Sequence, residues 1–231
     1  MTQAKDSSDW SLLHAPPLAW PTIGACLALD WLAMFGPPGV HLPTAWHYLW
    51  FAVFAGASLC LLARARRWNL RAVGLVWKVE PSGAFWLRTS AWMAGVIGVG
   101  FAAAAFASRA GADPFGLCAM HLDLDLEREL GSLVHAPLVE EVTFRLLLCA
   151  PLVGRLSSAA NIALSGIVFT LAHWITGGLG PDSVVGGFFL AWAFLRSGTI
   201  LVPIAMHALG NAALDAFLGS GAVTALACGA S

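Results

Sequence analysis

The chain reads as an all-α, polytopic transmembrane helical bundle of about seven spans, and three observations predict it. Hydrophobic residues make up 58% of the 231 and charged residues only 11%, with a mean hydropathy of +0.76. Soluble domains carry about a quarter charged residues. Apolar runs of about 20 residues, the length that crosses the hydrocarbon of a bilayer, recur along the whole chain. Eleven tryptophans suit the aromatic belts at membrane surfaces. The membrane lipid bilayer is therefore an expected partner, and the formal net charge of −1 offers nothing to nucleic acid.

Spans are expected at 16–35, 43–63, 84–107, 130–153, 158–176, 178–195 and 198–218. The first follows the polar stretch Met1–Ala15; it is too long for a signal-peptide core and lacks a clear cleavage site, so it reads as a retained anchor. The sixth has a short core, Ser183–Leu195, and reaches spanning length only by including Gly178–Asp182. Between the second and third lies a basic stretch with tryptophans, Arg64–Glu80, expected to rest on the membrane surface. The organisation is thus an N-terminal membrane region of three spans (1–129), a core (130–218) and a small-residue tail (219–231).

Basic residues in short loops set orientation. With a cytoplasmic N-terminus, Lys5, Arg64, Arg66, Arg67, Arg71, Lys78, Arg88, Arg155 and Arg196 fall inside, and only Arg109 and Arg128 outside. The 108–129 loop, with Asp113, Asp123, Asp125, Glu127 and Glu129, then lies outside, as does the C-terminus. The expected location is a bacterial inner membrane. The five cysteines are scattered with no C-x-x-C, so neither a disulfide framework nor a zinc cluster is expected. Cys118 and Cys228 are expected as thiols on the outer side.

Chemistry concentrates in Glu140-Glu141-Val-Thr-Phe-Arg145, set in an apolar run. Ionisable groups at membrane depth are expensive unless they pair or face a cavity, which makes them a functional-site hypothesis. Glu141 and Arg145 stand four apart and share a helix face, as an internal ion pair requires. Glu140 is rotated by about 100°, which leaves it available as a general base. Two later spans carry Phe169-Thr-Leu-Ala-His173 and His207-Ala-Leu-Gly-Asn211. At about 1.5 Å per residue, all these polar residues fall in one layer near the midplane, leaning outward. His173 suits a shared water, and His207 with Asn211 suits two donors to an oxyanion. Phe169 reads as a packing residue that shapes the pocket. Asp30 and Asp215 read as structural, and His14, His41, His47, His121 and His135 lie near span ends.

These three segments resemble the CPBP family, also called the Abi or CAAX-protease family, with its pattern E-E-x-x-x-R, F-x-x-x-H and H-x-x-x-N or D. Pro137 before the glutamates and Arg196–Pro203 before the last motif fit the same context. The resemblance covers about Leu130–Phe217 and implies a CAAX-protease-like, glutamic-type intramembrane endopeptidase. The implied catalytic set is Glu140 as base with His173 on the water, and His207 with Asn211 as oxyanion stabilisers. Glu141, Arg145 and Phe169 are supporting residues. No cofactor is expected; zinc held by the glutamate and two histidines is the minority alternative, and no H-E-x-x-H signature is present. The family includes prenyl-protein proteases, immunity proteins and the myxosortase group that cuts C-terminal sorting helices. The outward lean of the polar layer favours a membrane-anchored, exported substrate cut near its C-terminal helix. The alternative is a non-catalytic membrane scaffold or bacteriocin-immunity-type binding protein; a transporter would show inverted repeats, and none is visible.

Overall fold

A computed structural model describes residues 13–35, 44–113, 115–119 and 130–228. Lys5, His41, His121 and the Asp123, Asp125, Glu127, Arg128 and Glu129 part of the outer loop lie outside the described residues. The helices are α1 (Trp20–Phe35), α2 (Thr44–Ala65), α3 (Gly83–Arg109), a composite run α4 (Gly131–Leu152), α5 (Ser158–Thr176), α6 (Pro181–Ser197), α7 (Leu201–Gly219) and α8 (Ala222–Cys228). One helix stands at each expected span, and α8 adds a short helix in the tail. Among the described residues there is no strand, only an isolated bridge between Val153 and Leu156. Among the described residues four helices are by themselves long and apolar enough to cross a membrane: Tyr48–Ala65, Gly83–Arg109, Ser158–Thr176 and Leu201–Gly219. With the composition, this makes the chain an integral membrane protein.

The composite run departs most from a plain helix. It proceeds as a π segment Gly131–His135, an α segment Ala136–Glu141, a second π segment Val142–Cys149 and a last α turn Ala150–Leu152. A proline follows each π segment closely, at Pro137 and Pro151. Proline lacks the N–H of the i→i−4 ladder, and its ring clashes with the carbonyl four residues back. A π turn shifts pairing to five residues back. Ala136 N–H accordingly donates to Gly131 O, and Ala150 N–H to Arg145 O.

The chain forms two compact units. The first comprises Met1–Glu80, Val139–Ser165 and Ala191–Pro203. Within it the carbonyl end of α4, whose last groups have no partner in the helix, is capped by side chains. Arg66 Nη2 donates to Ala150 O (3.4 Å) and Val153 O (3.0 Å), and Asn161 Nδ2 donates to Cys149 O (3.0 Å). Arg66 is thus buried, unlike its exposed neighbours Arg64, Arg67 and Trp68 in the stretch expected at the surface. The same stretch is held by Thr199 Oγ1 donating to Val76 O and Ile200 N–H donating to Gly74 O. At Gly74 (φ +89°) a Cβ would meet the Phe194 ring at 2.5 Å, so glycine is required there for conformation and for space.

The second unit comprises Pro81–Leu138, Gly166–Leu190 and Ile204–Ser231. One end of it packs Phe101, Ala104, Ala105 and Leu117 with Val223 and Ala227. Here the cysteine expectation is corrected: Cys118 and Cys228 form a disulfide, with Cα atoms 5.7 Å apart. The pair is 110 residues apart in sequence, so no local spacing announces it. Beside it Asp113 organises the loop, accepting from Ser108 Oγ (2.8 Å), Leu117 N–H (2.9 Å) and Cys118 N–H (3.2 Å).

Candidate active site

The glutamate segment belongs to the first unit. Glu141 and Arg145 are both 0% exposed, with Arg145 Nε 2.9 Å from Glu141 Oε2. A second guanidinium nitrogen reaches Glu141 Oε1 at 3.5 Å, and Nη1 donates to Ser165 Oγ at 3.0 Å. Ser165 in turn donates to Phe144 O at 3.2 Å, so one hydroxyl on α5 serves both the guanidinium and the backbone of the π segment. Leu146, Leu147, Leu148 and Cys149 bury the remainder of this segment. Removing two charges from water is repaid only by close pairing and further hydrogen bonds, and this arrangement supplies both. Glu140, the adjacent carboxylate, is half-buried.

The histidine segments belong to the second unit. Phe169 is 3% exposed and lies against both imidazoles: stacked on His173 at 4.3 Å between ring centres, and edge-on to His207 at 6.2 Å. The absence of a side chain at Gly187 of α6 makes room for it, because a Cβ there would stand 3.0 Å from Phe169 Cδ1 and 3.1 Å from Gly166 O. His173 Nδ1 is 3.0 Å from Phe169 O. A carbonyl only accepts, so Nδ1 carries the proton, and in the neutral ring Nε2 is the basic nitrogen. Asp182, in the first turn of α6, lies within electrostatic reach of His173 and His207. Asn211 Nδ2 donates to Ser132 O at 2.8 Å, and Ser132 Oγ donates to Asp215 Oδ2 at 2.8 Å. Among the described residues no three His, Cys, Asp or Glu side chains are grouped to hold a metal ion.

Residues 129–213 match the Rce1-like family, the type II CAAX prenyl endopeptidases. The match covers under half of the 231 residues and spans every candidate residue from Glu140 to Asn211. No curated protein and no solved structure matches the chain. The similarity is to a peptidase family, and it falls on the part of the chain where the ion pair, the two histidines and Asn211 stand.

Reading the motifs alone misses the residues that hold them. Ser165, Asn161, Ser132, Asp182 and the Gly166/Gly187 contact carry no motif. Serine, glycine and asparagine are frequent in membrane helix interfaces, so the signal was a residue type, without a partner.

Proposed function

We propose that this chain is a glutamic-type intramembrane endopeptidase. Glu140 takes the proton of a water that His173 helps to orient; the water oxygen bonds to the peptide carbonyl carbon. His207 and Asn211 donate to the oxyanion, where such donors are worth most. The C–N bond then breaks as the proton passes to the leaving amine. Glu141 and Arg145 neutralise one another and hold the helix that presents Glu140. The observation that carries this reading is a half-buried carboxylate beside a fully desolvated ion pair, within a segment matched to peptidases.

The substrate is proposed to be a membrane-anchored, exported protein cut beside its C-terminal apolar helix, as in removal of a sorting or anchor signal, at a bacterial inner membrane with the C-terminus outside. Nine basic residues on one side against two on the other support this orientation. The Cys118–Cys228 disulfide supports it independently, because such bonds persist in the periplasm and are rare in the cytosol.

The test is Glu140→Gln, which keeps shape and hydrogen bonding but removes the base. The assay is cleavage of a reporter carrying an apolar C-terminal helix and basic tail, taken from a protein encoded beside this chain. The variant is expected to fold with unchanged melting and to leave the reporter uncut. Near-normal turnover by the variant removes Glu140 from its role. A scaffold or immunity protein would leave the reporter uncut with the parent chain also.

A further inference from the structure

Asn211 is held by a backbone group that would ordinarily be occupied. In an α-helix Ser132 O accepts from the N–H four residues on, but Ala136 N–H goes to Gly131 O instead. In the π pattern its partner would be the N–H five residues on, and that residue is Pro137, which has none. The π turn and the proline together vacate the Ser132 carbonyl. A carbonyl left so inside an apolar span is costly, and Asn211 Nδ2 fills the place at 2.8 Å. The hydroxyl of the same serine donates to Asp215 Oδ2 at 2.8 Å. Asp215 stands four residues after Asn211 on α7, on the same helix face. Ser132 therefore grips α7 twice on one face, by its carbonyl at Asn211 and by its hydroxyl at Asp215. All three side chains are half-buried.

We propose that Pro137, Ser132 and Asp215 are positioning residues that set the Asn211 carboxamide. The bond to a carbonyl, which only accepts, decides which end of the amide is nitrogen. It also uses one of the two N–H groups and leaves the other for the oxyanion. This rests on the assignment of Asn211 to the oxyanion. It gives Asp215, an acid read from the sequence as structural, a part in the reaction through Ser132. It also gives Pro137 a chemical reason: an N–H at position 137 would compete with Asn211 for the carbonyl.

Two readouts separate this inference from the reading it rests on. The chain has three asparagines, Asn69, Asn161 and Asn211. Selective ¹⁵N-asparagine labelling in detergent micelles thus gives three side-chain amides, assigned by loss of a signal in Asn211→Ala. In Pro137→Ala and Asp215→Leu the Asn211 amide is expected to shift and broaden, with those of Asn69 and Asn161 unmoved; Asp215→Asn, which keeps an acceptor for Ser132, restores the parent signal. Reporter kcat is expected to fall about tenfold to a hundredfold in Pro137→Ala and Asp215→Leu with KM unchanged, as a small misplacement does. Neither substitution is expected to lower kcat further in an Asn211→Ala background, since groups acting as one unit are not additive. An Asn211 amide signal unmoved in both variants overturns the positioning inference, even if Asn211→Ala is inactive. Signals that move as expected, with Asn211→Ala retaining full kcat, would instead remove Asn211 from the oxyanion and leave only the fold-level contact.

Discussion

Truncating either partner of the Glu141–Arg145 pair tests whether the glutamate helix is built on a desolvated ion pair. Both side chains are 0% exposed and their nearest atoms are 2.9 Å apart. Arg145→Ala leaves the Glu141 carboxylate in the interior without its guanidinium, and also removes the donor to Ser165. Glu141→Ala leaves the guanidinium without its carboxylate. Breaking a buried pair this way costs about 3–5 kcal/mol, against about 0–1 kcal/mol for an exposed pair. For a chain of this length each kcal/mol moves the melting temperature by about 2–4 °C, so a fall of roughly 6–20 °C is expected. The assay is thermal unfolding in detergent followed by tryptophan fluorescence, alongside the yield of inserted protein. The double variant Glu141→Leu/Arg145→Met removes both charges and is expected to lose less than the sum of the single losses. Single variants melting within about 2 °C of the parent, or a double variant that loses the full sum, would refute the reasoning.

If the proposed Glu/His site activates the water, activity is expected to survive dialysis against strong chelators and the purified protein to carry no stoichiometric zinc by elemental analysis; activity lost to chelator and restored by zinc would convert the site to three protein ligands and a water. With Cys118 and Cys228 joined and the proposed outer location, an impermeant maleimide added to intact cells is expected to label neither until an impermeant reductant is added, and labelling that needs membrane rupture would invert the topology. Burial pushes the Asp113 carboxyl up, but hydrogen bonds from Leu117 N–H, the Ser108 hydroxyl, Cys118 N–H and Gly116 N–H outweigh it and hold the group below the usual carboxylate range. A depressed folded value stabilises above the ordinary pKa of about 3.9, and that stability is lost as pH falls through the folded value. Reduction of the disulfide by a phosphine is therefore expected to accelerate below about pH 4 in the parent; an Asp113→Asn protein showing the same acid acceleration would rule Asp113 out as its source.

Much of the fold was legible because most of the expected spans are apolar runs whose length argues for crossing a bilayer, four of them as helices long and apolar enough by themselves. The interior of α4 was not. Pro137 and Pro151 stand in the sequence as helix-breakers, yet whether a chain breaks, kinks or widens into a π turn depends on who receives the vacated carbonyls. The disulfide was illegible for a related reason: Cys118 and Cys228 approach only once α3 and α8 pack their Phe101, Val223 and Ala227 side chains together.

Within the candidate site the division is the same. The Glu141–Arg145 contact follows from spacing on one helix and needs no tertiary information. What Asn211 and Arg145 touch beyond their own helices does need it, since Ser132 and Ser165 are ordinary small residues until another helix arrives. The two cases obey one rule. In an apolar segment a carbonyl without a helical partner must find a donor, and here the donors are Asn211 at Ser132, Asn161 at Cys149 and Arg66 at Val153. A proline or a helix end inside a span thus predicts that some polar side chain elsewhere is committed to it. For Asn211 that commitment uses one N–H and leaves one. Loss of Pro137 should therefore alter chemistry at a residue 74 positions away while sparing the Glu141–Arg145 pair, whose contact lies in the other unit.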